Sequence, residues 1–210
     1  MNTESPDPAE LAALRAAFAA DGRSDTALGW AGVHAFEAAH GVVLPEPYRT
    51  FVAEIADGSP AGPPEYGLVA LADLPSDWGA GRPERDLSQP FPLDAAWLWE
   101  DDEDTPEDEF DDLVGRVTDH GSIVLGTEGC GMYWHLVVTG PQRGRLWLDT
   151  GEGAAPYGGP SEADFGRTTA ALGFTDWVTH WAAGRDWFDA STDTDTSTDN
   201  APGTGTDTDD

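Results

Sequence analysis

Apolar residues recur at helical spacing in the first third of the chain. Asp7, Pro8 and Glu10 stand as N-cap, first helical residue and reciprocal capping acid, and Leu11, Leu14 and Phe18 follow before Asp21-Gly22 stops the run. A second helix is predicted from about Asp25 to His40, with Trp30, Val33 and Phe36 facing inward and Gly41 placed for a left-handed C-terminal turn. Beyond Pro45 and Pro47, residues Tyr48, Phe51, Val52 and Ile55 fall at i, i+3, i+4 and i+7, a third helix ended by Asp57-Gly58.

The period then changes. Tyr66 to Ala72, Ser122 to Gly126, Met132 to Thr139 and Arg145 to Asp149 are short β-rich or aromatic runs bounded by Gly and Pro, and they read as a meander of strands. Thr139 to Gly144 makes a long hairpin connection between the last two, and Gly126, Gly129 and Gly131 punctuate the first turn. A final helix, about Thr175 to Ala183, offers Trp177, Val178 and Trp181 to one face. Helices first, mainly antiparallel strands next and a closing helix is an α+β pattern, not the alternation of a doubly wound sheet.

A chain of 210 residues makes one large domain or two small ones. Its longest apolar runs, such as Ser122 to Leu125, fall far short of the roughly 20 residues that span a bilayer. Glu4, Asp7 and Glu10 stand where a secretory or transit peptide needs basic residues, so a cytoplasmic location is expected. Cys130 stands alone, which excludes an intramolecular disulfide and a Cys-rich zinc site.

Charge narrows the function further. Forty Asp and Glu face ten basic residues, all Arg, for a net charge of -30. Phosphate binding runs on neutralisation by Lys and Arg, so direct binding of nucleic acid or of an anionic membrane is excluded. The acids are clustered: residues 100–112 hold 10 and residues 191–210 hold 6, with no base in either segment. Such clustering argues against uniform salt adaptation of the surface. The last 20 residues, a Thr/Asp/Gly/Ser/Pro mixture, lack the apolar surface to offset ordering entropy and read as a disordered solubilising tail. The run at 100–112 follows the aromatic stretch Gln89 to Trp99, and reads as a solvated, mobile loop on an ordered aromatic base.

Catalytic motifs are missing. Gly126-Thr-Glu-Gly-Cys-Gly131 follows a strand, but its spacing, the lack of a Lys and the strand after it make it a tight turn rather than a phosphate loop. The histidines at 34, 40, 120, 135 and 180 show no metal-binding spacing. No serine sits in a GxSxG elbow, and Cys130 has few cationic groups to depress its pKa. The acidic run lacks the central Gly and ligand order of a calcium-binding loop. The expectation is a protein that is not an enzyme, with no catalytic residue, no metal, no cofactor and no small-molecule substrate.

One set of residues has a relative in kind. Phe36-Glu37-Ala-Ala-His-Gly41, followed by Leu44-Pro45-Glu-Pro-Tyr48-Arg49-Thr-Phe51, resembles the SUKH superfamily, whose hallmark is a helix ending in FExxxG and then LPxxYRxF opening the next helix. Asp57-Gly58, Gly67-Leu68, the stretch from Ser122 to Val138, Gly144 to Trp147 and the helix from Phe174 to Trp181 continue the resemblance over residues 25–185. With the N-terminal helix and the tail, the chain divides into three parts. Residues 1–24 would be a capped helix and linker, residues 25–188 a SUKH-like domain with a Pro/Trp-rich acidic insert at about 75–120, and residues 189–210 the tail.

The resemblance also implies binding, because SUKH proteins include fungal cell-wall-synthesis regulators and bacterial immunity proteins that neutralise toxins, several of them nucleases. A nuclease carries a basic cleft, which carboxylates can occupy, steering association by about 10 to 1,000-fold in on-rate. Asp101, Asp102, Glu103, Asp104, Asp108 and Glu109 are the expected contacts to such a basic toxin domain, with Trp97 and Trp99 either aromatic anchors beside them or core residues. The alternative is a regulatory or scaffold protein that binds a non-basic cytoplasmic partner. Glu37 and Arg49 are expected to pair across the second and third helices, and Tyr48 and Phe51 to be core aromatics.

Overall fold

The computed structural model describes residues 5–19, 26–79, 84–99, 106–158 and 172–185. Three helices come first, α1 (Pro8–Ala19), α2 (Gly29–His40) and α3 (Tyr48–Glu54). They are followed by β1 (Trp97–Leu98), α4 (Glu107–Asp119), β2 (Ser122–Gly129), β3 (Met132–Val137), β4 (Leu146–Asp149), β5 (Gly153–Pro156) and α5 (Phe174–Ala182). The strands form one antiparallel sheet in the order β1-β5-β4-β3-β2. The fold is α+β, with the C-terminal helix packed against α1.

The helix ends follow local chemistry. The Asp7 carboxylate accepts the Ala9 amide at 2.8 Å and caps α1, while Asp176 Oδ2 accepts the Gly173 amide at 3.1 Å and fixes the start of α5. Gly41, at φ +68°, closes α2 with its amide on the Glu37 carbonyl, a left-handed turn that costs glycine nothing. The second helix begins at Gly29, not near Asp25, because Gly29 sits at φ +81°, which a right-handed helix running through it cannot hold, and the preceding Leu28 amide is bonded across to the Val52 carbonyl at 3.0 Å. Asp25 itself lies outside the described residues.

Alternation along the strands sorts side chains onto two faces. Ile123, Leu125, Trp134, Leu136, Val138 and Leu146 point to one side, where Leu14, Phe18, Val33, Leu44, Tyr48, Phe51, Val52, Phe174, Trp177 and Val178 from the helices meet them in the main core. The Phe18, Tyr48, Phe51 and Phe174 rings pack together within it, mostly tilted or edge to face, at centroid distances of 4.8 to 6.3 Å. The other side carries Val124, Tyr133, Val137, Trp147 and Ala154. That face is covered too. Trp78 lies against Tyr133 at 4.7 Å, Phe91 against Trp147 at 5.1 Å, and Trp99 and Val117 complete the second core.

Apart from β1, which joins the sheet, the described residues between Trp78 and Val117 that meet this face add a third layer over it. Its acidic run is not wholly a loop, because residues 107–112 begin the helix α4. Phe110, Leu113, Val114 and Val117 recur at i, i+3, i+4 and i+7, and the helix docks this stripe on the second core through Phe110, Val114 and Val117. The acids at its start also sit where the helix dipole favours negative charge.

Two other expectations are corrected. Tyr66 to Ala72 is not a strand: Gly67 turns at φ +96°, Leu68 makes an isolated bridge to Ser59, and Val69 reaches the sheet with its amide on the Leu125 carbonyl at 2.9 Å. Trp30 does not face the core but is 36% exposed in the first turn of α2, its ring under the Arg49 guanidinium at 5.2 Å and its Nε1 donating to Glu54 at 3.2 Å. The small strands β1 and β5 were not foreseen, being two residues long and Gly/Ala/Pro in composition.

The Gly126 to Gly131 turn has a packing role. A Cβ on Gly126 would overlap Pro64, and one on Gly129 would press on the Tyr66 ring at 3.1 Å, so these glycines seat the Pro64 to Tyr66 segment against the β2–β3 hairpin. Among the described residues, no helix is long and apolar enough to cross a membrane. Residues 1–4 and the tail at 191–210 lie outside the described residues.

Candidate functional site

The acidic face is built on α4. The chain enters the helix at Pro106, whose carbonyl accepts the Glu109 and Phe110 amides, both at 2.9 Å. Proline at this boundary has no amide to satisfy. Phe110 then reaches the Trp97 ring at 5.9 Å, and Trp97 meets Trp99 at 5.2 Å, so the helix is fastened to an aromatic shelf. With that stripe turned inward, Glu109, Asp111 and Asp112 are left exposed on the opposite face.

The expected contact residues divide accordingly. Glu109 is exposed, Asp108 lies in the first turn of α4, and Asp101, Asp102, Glu103 and Asp104 lie outside the described residues. Trp99 is a core residue rather than a surface anchor: it is 7% exposed and its Nε1 donates to the Gly151 carbonyl at 2.9 Å. Trp97 is half-buried beside it. Structure thus brings Trp97, Trp99 and the start of α4 together, with the tryptophans as support and the carboxylates as display.

Several arginines are committed elsewhere, while Arg116 lies on α4 itself. Arg49 forms a two-pronged pair with Glu37, Nε to Oε1 at 2.7 Å and Nη2 to Oε2 at 2.9 Å, and the Leu44 amide donates to the same carboxylate at 2.9 Å. Burial alone would push the Glu37 carboxyl up, but the Arg49 and Leu44 bonds and the Arg49 charge hold it below the ordinary range. Arg15 pairs with Glu54 at 3.0 Å and Arg116 with Asp112 at 3.1 Å. Arg143 donates to the Val43 and Leu44 carbonyls, and Arg85 to the Thr118 and Ser122 carbonyls. Cations are thus drawn inward or onto single acids, and the carboxylates dominate the outer field.

A Ser-His-Asp row crosses the covered sheet face. The Ser122 hydroxyl is 3.0 Å from His135 Nδ1, and His135 Nε2 is 4.0 Å from Asp149 Oδ2. These residues are 0%, 1% and 6% exposed, and Arg85 also donates to Ser122 Oγ at 3.3 Å. A hydroxyl sealed between two layers meets no substrate, and the His–Asp separation exceeds a hydrogen bond. The row acts as a polar seam that registers the outer layer on the sheet, with Arg85 as its pin and the Trp78 ring under the guanidinium at 5.2 Å. Nothing in the sequence pattern announced it, because the three residues come from separate strands.

Other chemistry is sparse. Among the described residues, no group of three or more His, Cys, Asp or Glu is arranged to hold a metal ion. Cys130 is exposed at the tip of the β2–β3 hairpin, at φ +53° between two glycines. No protein-family model, curated protein or solved structure matches the chain.

Proposed function

We propose that this chain is a binding protein, not an enzyme, and that its acidic face captures a basic protein partner. In its sharpest form the reading is an immunity protein that occupies the cationic cleft of a toxin such as a nuclease. The observation that carries it is the display of carboxylates on α4, held by an apolar stripe on an aromatic shelf, while Arg49, Arg85 and Arg143 are turned to contacts within the fold. Carboxylates fixed on a docked helix lose less entropy on binding than the same acids on a free loop. The SUKH resemblance of residues 36–51 supports the same class of function. Within it, Glu37 and Arg49 hold α2 to the start of α3, so the motif builds the scaffold that the acidic layer rests on.

The test is capture from the source cell's lysate at about 50 mM and 300 mM salt, with the retained proteins identified by mass. A single basic protein, retained at low salt and weakened at high salt, is the expected result. A neutral partner indifferent to salt would replace this reading with that of a scaffold whose helix and sheet surfaces do the recognition.

A further inference from the structure

A cleft of about 350 Å³ opens between α2, residues 71–79, residues 84–87 and the β2 edge of the sheet. Its volume is in the range of small-ligand sites. The inner wall is apolar and buried, formed by Leu71, Leu87, Ile123, Val124 and Trp78. Two pairs line it: the Phe36 and His40 rings, 4.4 Å apart and tilted by 41°, and Trp78 with the Arg85 guanidinium over its ring at 5.2 Å. The exposed Asp73 and Glu84 carboxylates also line it and face solvent.

We propose that this cleft binds a small flat aromatic molecule carrying a protonated amine. The apolar inner wall and the Phe36 and His40 rings that line the cleft suit an aromatic ring. The charge preference follows from the rim. Asp73 and Glu84 outnumber the one guanidinium, which the Thr118 and Ser122 carbonyls already hold against the sheet, and a chain at -30 draws a cation rather than an anion of the same shape. The site is separate from the acidic face of α4 and does not depend on the capture of a basic protein.

The experiment titrates the full chain with tryptamine and with indole-3-acetate, the same ring bearing opposite charges, by calorimetry at low salt. Three chains are compared: wild type, Ala72→Trp, and the α4 variant Glu109→Gln/Asp111→Asn/Asp112→Asn. Ala72 is an exposed lining residue, so its substitution fills the cleft mouth without touching the core. The expected result is tryptamine binding at least about tenfold tighter than indole-3-acetate, lost in Ala72→Trp at unchanged melting temperature and kept in the α4 variant. No binding of tryptamine, binding that survives Ala72→Trp, or equal affinity for the two ligands would overturn the proposal.

Discussion

At the scale of single residues, the Glu37–Arg49 pair is the most exacting contact in the helical layer. Both side chains are largely buried, so removing Arg49 strands a carboxylate beside the Leu44 amide. Arg49→Met should cost about 3–5 kcal/mol in urea unfolding. Adding Glu37→Gln, which keeps an acceptor for Leu44, should recover part of that loss; equal losses in the single and double variants would contradict the pairing account. Because the Glu37 carboxyl is held below its ordinary 4.5, its stabilising contribution is present above that pH and fades as pH falls through the lowered value. Glu128 has the opposite sign. Burial pushes its carboxyl above 4.5 despite the Trp134 Nε1 bond at 2.7 Å, so its contribution is full below that pH and is lost as pH rises through the raised value. Glu128→Gln, which still accepts from Trp134, should therefore be more stable than wild type at neutral pH, with the gap closing toward pH 4.5. A less stable variant at neutral pH would refute this.

At the scale of elements, the layer over the second sheet face turns on α4. Val117 is 1% exposed in the second core, whereas Asp111 points to solvent on the same helix. Val117→Ala should cost about 1–3 kcal/mol and Asp111→Ala within about 0.5 kcal/mol, measured by urea unfolding. Equal small effects would mean that α4 is not docked. This helix also marks where sequence reading stops. The first three helices and the closing one were legible from apolar spacing, helped by the Asp7 cap at α1 and the Gly41 stop at α2, although the start of α2 and the facing of Trp30 were not. In α4 the spacing of Phe110, Leu113, Val114 and Val117 was present, but ten acids nearby spoke louder for a loop. Trp99 was ambiguous for a different reason. An aromatic next to a charged run fits a surface anchor as well as a core, and only the sheet's second face, itself invisible in a one-dimensional pattern, decides that it is buried. The Ser122–His135 contact has the same origin, since strand register alone brings its members together.

At the scale of the whole molecule, a charge of -30 on one chain is self-repulsive, and the described arginines that relieve it serve chiefly to hold layers together. Raising salt from about 50 to 500 mM should screen that repulsion and raise the melting temperature. A fall in the melting temperature would show that the arginine contacts outweigh it. The same field is what a basic partner would meet first, and α4 is where the fold offers it on a rigid support. The most direct measurement is the affinity of the captured basic partner for wild type and for Glu109→Gln/Asp111→Asn/Asp112→Asn, titrated at about 50 and 300 mM salt. The account predicts that the variant binds at least about tenfold more weakly at low salt, mainly through a slower on-rate, and that its salt dependence is shallower. Equal affinity and equal salt dependence in the two proteins would contradict it.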